Sequence, residues 1–225
     1  MTSLFDEYLL TQPDKPREVG IFWVTDLVKT CLRQSYLDII DPQPKPIETL
    51  RIFEAGRAIE RLWVDRVLPT HFRILGTQLP ARYHGDGFCI HGRIDALVQH
   101  NDGSLVVHEV KSAKSLFYTS EPKTDHVKQL QFYLNVLNVE FGSVDYLDKT
   151  VLLQGGNRDR DAVDRCFTVQ RDPAIFTATV SRARELVQFI KADTIPDASS
   201  RDWYCEYCLH HEGCIAHAKF VEVRP

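Results

Sequence analysis

Three ionisable residues in one predicted hairpin have types and spacing that suit hydrolytic chemistry. The stretch HGRIDALVQHNDGSLVVHEVKSA, residues 91–113, reads as two apolar strands around a turn and carries Asp95, Glu109 and Lys111. A three-residue loop that ends at Gly103 in the left-handed conformation would set the register of the two strands. That register places Asp95 opposite Glu109, with Cβ atoms about 4.5 to 5.5 Å apart, and puts Lys111 on the same face.

Two carboxylates this close repel each other, and each raises the pKa of the other unless a cation lies between them. Mg²⁺ or Mn²⁺ fits such a site, because these hard ions take oxygen ligands and keep several waters. The ion would make a bound water more acidic and polarise a phosphoryl oxygen, while the ammonium would orient the water or offset charge on the phosphate. The hairpin therefore predicts hydrolysis of a phosphodiester. The simpler alternative is an exposed strand face with an incidental Glu109–Lys111 pair.

The elements around the hairpin indicate a mixed α/β fold in the order α, α, β, β, β, α, β, β, α. The last helix begins with Asp172 and Pro173 in the N-cap and N1 positions. This order favours a central mixed sheet flanked by helices. We expect residues 1–20 to be a loosely tied leader, residues 21–192 to form the core, and residues 193–225 to be a linker and a Cys-rich tail.

Apolar residues at helical intervals predict four helices. They are IFWVTDLVKTCLRQSYLD, PIETLRIFEAGRAIERLWVDRVLP, DHVKQLQFYLNVLNVEF and DPAIFTATVSRARELVQFIKAD. The strands are RILGTQLPARYHG, GFCIHGRIDALVQH, SLVVHEVKSAK, DYLDKTVLLQGG and DRCFTVQR. Within the hairpin, the residues expected to point into the core are Ile94, Ala96, Val106 and Val110.

Composition and charge exclude several other classes of protein. The 225 residues are 44% hydrophobic and 26% charged, which is ordinary for a globular chain. Lysine and arginine number 27 against 31 aspartates and glutamates, and the formal charge of −4 argues against a generic nucleic-acid coat protein. No apolar run approaches the roughly 20 residues of a membrane helix, and the acidic N-terminal stretch lacks a signal core. We therefore expect a cytoplasmic protein that does not contact a membrane.

Two polar residues lie on the helix that follows the hairpin. Gln129 and Tyr133, in QLQFY, are four residues apart and so share one helical face. On the helix pattern alone, they are the polar edge of an amphipathic helix whose core side is Leu130, Leu134 and Leu137.

The motif GRID at residues 92–95, followed by EVK at 109–111 and QLQFY at 129–133, resembles the RecB-like branch of the PD-(D/E)XK nucleases. The resemblance implies a restriction-endonuclease-like sheet. It also implies a catalytic set of Asp95, Glu109, Lys111, Gln129 and Tyr133. The family has an upstream ligand in a pattern resembling G-x-x-x-H, but here Gly56 is followed by Glu60. Glu60 departs from histidine and can still supply an oxygen ligand to Mg²⁺ or Mn²⁺.

The cysteines suggest a second site. In a reducing cytosol, six cysteines favour metal or redox ligands over disulfides. Cys205, Cys208 and Cys214 form C-x₂-C-x₅-C, which needs a fourth ligand. Three nearby histidines are candidates to complete a zinc site: His210, His211 and His217. A distant cysteine would instead complete an iron–sulfur cluster, and spacing alone does not choose between them.

The arrangement of one early cysteine, Cys31, and the three late ones resembles the CRISPR-associated RecB-like exonuclease family. The resemblance implies that Cys31 and the three tail cysteines hold a [4Fe–4S] cluster, which ties the N-terminal helix to the C-terminal tail. The family often has Pro-Arg after its first cysteine, whereas Leu32 and Arg33 follow it here. Cys89 and Cys166 fall in predicted strands, where we expect ordinary buried residues.

The resemblance implies an exonuclease that acts on single-stranded DNA or overhangs and prepares fragments for CRISPR spacer acquisition. Its implied partner is the CRISPR integrase complex. The alternatives are a largely non-catalytic DNA-binding partner of that integrase and an iron–sulfur or zinc-stapled repair nuclease outside CRISPR. The basic residues that would line a phosphate-binding groove, or form an ordinary solvated surface, are Arg51, Arg57, Arg61, Arg66, Lys111, Lys114, Lys123 and Lys128.

Overall fold

The computed structural model describes residues 3–12, 18–117, 119–154, 162–198 and 203–214. In this part of the chain, helices cover both faces of one mixed sheet, which confirms the predicted class of fold. His217, one of the histidines considered as a zinc ligand, lies outside the described residues. No helix in the described ranges is both long and apolar enough to cross a lipid bilayer.

The sheet explains how distant parts of the sequence meet. The strands described are β1 Ile21–Trp23, β2 Arg73–Gly85, β3 Phe88–Gln99, β4 Leu105–Ala113, β5 Phe141–Asp148 and β6 Asp164–Gln170. Their order is β1-β3-β4-β5-β6, and β2 also pairs with β3. The β1–β3 and β4–β5 pairs are parallel, and the other pairs are antiparallel. The sheet is therefore mixed, as expected.

The helices follow the predicted order with additions. They are α1 Leu4–Thr11, α2 Val24–Leu27, α3 Leu32–Ile40, α4 Ile47–Leu62, α5 Thr124–Leu137, α6 Lys149–Gln154 and α7 Pro173–Lys191. Helix α4 continues through a π turn at Trp63–Val67 and a 3₁₀ turn at Leu68–Thr70, and a further 3₁₀ turn spans Trp203–Tyr207. The Asp172 side chain accepts a hydrogen bond from the Ala174 N–H at 2.8 Å, which confirms the predicted start of α7.

The expected leader contains a helix that is held in place. Leu9 of α1 is buried. Arg51 of α4 donates to both carboxylate oxygens of Asp6, at 2.7 and 2.5 Å. This fork-shaped ion pair and the buried leucine dock α1 on α4, so residues 4–11 are not loosely tied.

Two other segments differ from the prediction. The first expected helix is divided into β1, α2 and α3, because residues 21–23 pair with β3, and α3 begins only after Cys31. The sequence predicts one strand over DYLDKTVLLQGG, yet β5 ends at Asp148. The Asp148 carboxylate accepts from the N–H groups of Thr150 and Val151, at 2.8 and 3.0 Å, and so starts helix α6.

The hairpin has the predicted loop and register. The ladder pairs Gln99 with Leu105 and Ala96 with His108, so the next pair in that register is Asp95 opposite Glu109. Gly103 has φ +87°, and its N–H donates to the carbonyl of residue 100 at 2.9 Å. The glycine is required at this position because L side chains rarely adopt this backbone conformation.

Two apolar cores lie on the two sides of the sheet. One contains side chains of the sheet, α5 and α7, and the other contains side chains of the sheet, α4 and the turns that follow it. The four hairpin residues predicted to be in the core are all buried: Ile94, Ala96, Val106 and Val110. Ile94 belongs to the first core, together with Tyr133, whereas Ala96, Val106 and Val110 belong to the second.

Candidate active site

Asp95 and Glu109 lie in the interior rather than on an exposed strand face, with 7% and 1% of their surfaces exposed. Asp95 Oδ2 accepts from the Val110 N–H at 2.8 Å, just beyond the last ladder pair. Burial, and then the charge of Glu109, raises the pKa of Asp95 well above its usual range. Burial also raises the pKa of Glu109, although Lys111 opposes it. Both carboxylates are therefore destabilised as anions unless a further positive charge is present.

One oxygen atom of this carboxylate pair is available to bind a positive charge. Glu109 Oε2 is buried and has no hydrogen-bond partner among the described residues. A buried carboxylate oxygen without a donor is costly, and oxygen ligands of this kind are those that Mg²⁺ and Mn²⁺ take. The donor set and the unpartnered oxygen thus fit a hard divalent cation.

Lys111 is held by a chain of hydrogen bonds that joins β4 to α5. Its Nζ lies 2.5 Å from Glu109 Oε1 and donates to Gln129 Oε1 at 3.1 Å. Gln129 Nε2 donates to the Tyr133 hydroxyl at 3.0 Å, and the backbone of Arg93 also hydrogen-bonds to that hydroxyl. The structure therefore brings Lys111, Gln129 and Tyr133 together.

Tyr133 reaches the site because a glycine lies under its ring. A Cβ built at Gly92 would lie 2.4 Å from Tyr133 Cε1, which is too close for any residue other than glycine. Tyr133 is 1% exposed. The first residue of the GRID motif is thus explained by contact between β3 and α5.

Glu60 approaches the same carboxylates from α4. It is half-buried, and its Oε1 accepts from Gln78 Nε2 at 2.6 Å. Its charge raises the pKa values of Asp95 and Glu109. In the part of the chain that the structure describes, no three His, Cys, Asp or Glu side chains are grouped closely enough to hold a metal ion. Glu60 therefore lies near enough to Asp95 and Glu109 to affect their pKa values, but the three carboxylates are not grouped as the ligands of a formed metal site.

A buried polar cluster that the sequence analysis missed ties α4 to β4. Asp145 Oδ2 accepts from Trp63 Nε1 at 2.9 Å and lies 2.6 Å from His108 Nδ1, while Ser143 Oγ lies 2.5 Å from Asp145 Oδ1. Burial opposes the charge on Asp145, yet these partners hold its pKa below the usual range. Trp63 follows Glu60 by one helical turn, and His108 precedes Glu109. The cluster therefore helps to fix the two acidic residues relative to each other.

A second missed residue, His126, lies at the start of α5. Its Nδ1 is 2.7 Å from the Tyr146 hydroxyl, which also accepts from the Lys123 N–H at 2.9 Å. Burial, and then the charge of Lys111, lowers the pKa of His126 to about 4. His126 is therefore a neutral residue beside the lysine at neutral pH.

A cleft of about 890 Å³ adjoins Lys111 at the carboxyl ends of β4 and β5. Its lining includes Ser112, Lys114, Phe117, Lys123, His126 and Arg165. Three arginines of the second predicted helix, which were candidates to line a groove, pair with carboxylates. Arg51 pairs with Asp6, and Arg57 and Arg61 pair with Glu54.

The structure brings the early cysteine close to the tail cysteines. Cys31 is the N-cap residue of α3. The pKa of Cys208 is raised by burial and also by the nearby charges of Asp38, Cys31 and Cys205. Cys214 Sγ accepts from Arg33 Nη1 at 3.4 Å. The four predicted ligands therefore share one neighbourhood, although their geometry is not that of a formed metal site.

His210, Cys89 and Cys166 have surroundings that differ from those of the four predicted cysteine ligands. His210 Nε2 lies 2.9 Å from Asp38 Oδ1, which holds the tail against α3. Cys89 is half-buried and Cys166 is exposed, so the expectation that both are ordinary buried residues is wrong. Cys166 is exposed because β6 pairs only with β5 in the described sheet, and alternate residues of β6 face outward.

Comparisons with known proteins agree with this architecture. Among curated proteins, the CRISPR-associated exonuclease Cas4 of Saccharolobus solfataricus is 25% identical over 208 residues, which are 89% of this chain and 90% of that protein. The crystal structure of SSO0001 superposes with a TM-score of 0.66 at 22% identity, covering 94% of this chain and 96% of the other. LHK-Exo, an alkaline exonuclease of Laribacter hongkongensis crystallised with dAMP, gives a TM-score of 0.51 at 13% identity over 78% of this chain and 90% of its own.

The two structural likenesses concern the fold alone. The sequence itself shows the family, because residues 21–215 match the model of the PD-(D/E)XK nuclease superfamily. The match includes the GRID, EVK and QLQFY motifs and the tail cysteines. The chain therefore belongs to the PD-(D/E)XK nuclease superfamily, and its likeness within it is to the CRISPR-associated RecB-like exonucleases.

Proposed function

We propose that the chain is a divalent-metal-dependent DNA exonuclease that hydrolyses single-stranded DNA or single-stranded overhangs. The observation that carries the proposal is the buried group of Asp95, Glu109 and Lys111, in which Glu109 Oε2 has no partner among the described residues. A fold that only bound DNA would have no need to bury two carboxylates beside an ammonium. The similarity to a protein named as an exonuclease supports attack at DNA ends.

Each residue has a role that follows from its position. Asp95 and Glu109 would hold Mg²⁺ or Mn²⁺, and Glu60 would add an oxygen ligand from α4. The bound ion would polarise a phosphoryl oxygen and make a coordinated water more acidic. Lys111 would offset negative charge that develops on the phosphate. Gln129 and Tyr133 would keep the ammonium in place through the hydrogen bonds that join them.

The cleft beside Lys111 supports a path for a single strand. Lys114 and Lys123 are exposed at its edge, and Phe117 exposes 66% of its surface. Basic side chains beside an exposed aromatic ring are the groups that hold phosphates and stack on unpaired bases. This surface would guide a strand end toward the carboxylates.

The cysteines would hold a second cofactor. We assign Cys31, Cys205, Cys208 and Cys214 to a [4Fe–4S] cluster with a structural role, which joins the start of α3 to the tail. The four thiols supply the ligand chemistry that such a cluster needs. A zinc ion held by the tail cysteines and a histidine is the competing assignment.

The biological setting follows from the similarity to Cas4. The protein would act in the cytoplasm and prepare DNA fragments for CRISPR spacer acquisition, with the CRISPR integrase complex as its partner. A DNA-binding partner of that integrase with little cleavage of its own is the main competitor.

The decisive experiment is cleavage of end-labelled DNA by anaerobically purified protein in Mn²⁺, Mg²⁺ or EDTA. Wild type is compared with Lys111→Ala, Asp95→Ala and the matched control Lys191→Ala, which removes an exposed lysine at the end of α7. We expect metal-dependent shortening of single strands and overhangs by wild type and the control, slower cleavage of blunt duplex, and none by the two site variants. Wild-type protein that cuts no better than Lys111→Ala would leave the binding role as the better account.

A further inference from the structure

Arg33 is a buried cation without a carboxylate partner in the described part of the chain. It exposes 6% of its surface. Its Nε donates to the Pro196 carbonyl at 2.7 Å, and its Nη1 donates to Cys214 Sγ at 3.4 Å. A carbonyl and a sulfur satisfy hydrogen bonds, but neither neutralises the guanidinium unless the sulfur is a thiolate.

Arg182, on another element, is half-buried and has buried donor atoms without acceptors among the described residues. It lies on α7, which packs against α3, and its Nε and Nη2 are buried without a hydrogen-bond partner among the described residues. Burial lowers the pKa of this guanidinium, while Glu185 and Cys31 oppose that effect. Two donor nitrogens of Arg182 therefore lack acceptors among the described residues, in a region that includes Cys31.

Both arginines lie beside predicted ligands: Arg33 donates to Cys214, the last of the four cysteines, and Arg182 lies near Cys31, the first. A buried cation is stable only beside a compensating anion, and a buried N–H group only beside an acceptor. Four thiolates that hold an iron–sulfur cluster provide both, because the group carries net negative charge and its sulfur atoms accept hydrogen bonds.

We infer that Arg33 and Arg182 are positioning residues for the group held by the cysteines: they balance its negative charge and donate N–H groups to its sulfur atoms. The inference rests on the proposed [4Fe–4S] cluster and goes beyond it by assigning two residues that are not ligands. It also predicts a measurable property. Reduction adds an electron to a group that is already negative, so a nearby cation favours the reduced form and raises the reduction potential.

The test uses the full chain, purified anaerobically, as wild type, Arg33→Gln, Arg182→Gln and the matched control Arg184→Gln. Arg184 lies on the same helix as Arg182 but is exposed. Iron and sulfide per chain, the midpoint potential, and the rate of iron loss to a chelator are measured. We expect both buried-site variants to have a more negative potential and several-fold faster iron loss, and we expect the control to match wild type.

Conservative variants keep the test decisive if a glutamine variant does not fold. Arg33→Lys and Arg182→Lys keep the charge and lose the forked donors, so we expect potentials between those of wild type and the glutamine variants. Unchanged potentials and unchanged iron loss in an iron- and sulfide-containing protein would overturn the role of the arginines. Wild-type protein without iron and sulfide would instead overturn the cluster itself, and this inference with it.

Discussion

The Nζ atom of Lys111 lies 3.1 Å from the Oε1 atom of Gln129. The other end of the Gln129 amide donates to the Tyr133 hydroxyl, so the orientation of the amide is fixed from both sides. Strand β4 supplies the positive charge, and helix α5 determines where that charge lies. Because the pairing spans 18 positions in sequence, it depends on the β4–α5–β5 crossover rather than on either element alone.

Replacement of Gln129 by alanine should slow catalysis more than it weakens substrate binding. Without the amide, Lys111 keeps its contact with Glu109 but loses the bond that aims it. We expect kcat to fall about tenfold, with KM changed by less than about threefold. Steady-state cleavage at several concentrations of end-labelled single strands gives both constants.

The matched control is Gln131→Ala on the same helix. Gln131 is buried too, but it bonds to the backbone of Gln170 and Asp172, away from Lys111. We expect this variant to lower the free energy of unfolding and leave kcat near the wild-type value. Equal loss of kcat in both variants would mean that Gln129 acts only through folding.

A methyl group added at Gly92 should displace the Tyr133 ring and so lower both stability and activity. A Cβ there would lie 2.4 Å from the Tyr133 ring, so the ring must move, and the hydroxyl bonded to Gln129 moves with it. We expect Gly92→Ala to lose about 1 to 3 kcal/mol of stability and at least tenfold in kcat. Chemical denaturation and cleavage assays measure the two effects. A variant with wild-type activity would show that the position of Tyr133 is unimportant.

The sequence allowed the hairpin to be predicted because its register depends on local features. Gly103 determines the turn, and the two-residue period then determines which side chains meet. The cluster of Trp63, His108 and Asp145 had no such signal, since its members lie on three elements and each reads as an ordinary core or strand residue. Its formation depends on sheet order and on how α4 crosses the sheet, which a single sequence does not specify.

Metal ions should stabilise the folded protein through the carboxylate pair. Two buried carboxylates are unfavourable as anions, and a bound cation removes that cost. We expect Mg²⁺ or Mn²⁺ to raise Tm relative to EDTA, by an amount that corresponds to about 2.7 kcal/mol at a hundred times the Kd. Differential scanning calorimetry at pH 7 gives the comparison.

Asp95→Asn separates this effect from general ion binding. The amide keeps the shape of the side chain and removes one buried charge, so the metal-free protein should be more stable than wild type and should lose most of the metal-induced shift. Asp164→Asn, which changes an exposed residue on β6, should keep the shift. An unaltered metal response in Asp95→Asn would place the stabilising ion elsewhere.

His126 should make the protein less stable in mild acid. The folded protein holds the pKa of His126 at about 4, mainly through burial, whereas an unfolded histidine titrates near pH 6.5. As pH falls from about 6.5 toward about 4, the unfolded state takes up a proton that the folded state does not, so the free energy of unfolding decreases. The side chain is 19% exposed, and the full effect is at most about 3 kcal/mol.

Urea denaturation at several pH values measures the slope, and His126→Gln should flatten it between pH 6.5 and 4. Glutamine can still hydrogen-bond to the Tyr146 hydroxyl, so the free energy of unfolding at pH 7 should change by less than wild type loses between pH 6.5 and pH 4. His84→Gln, at an exposed position on β2, should keep the wild-type slope. Because Lys111 contributes to the low pKa, Lys111→Met should also reduce the slope, through a higher pKa of His126. A slope that is the same in wild type and His126→Gln would assign the acid sensitivity to other groups.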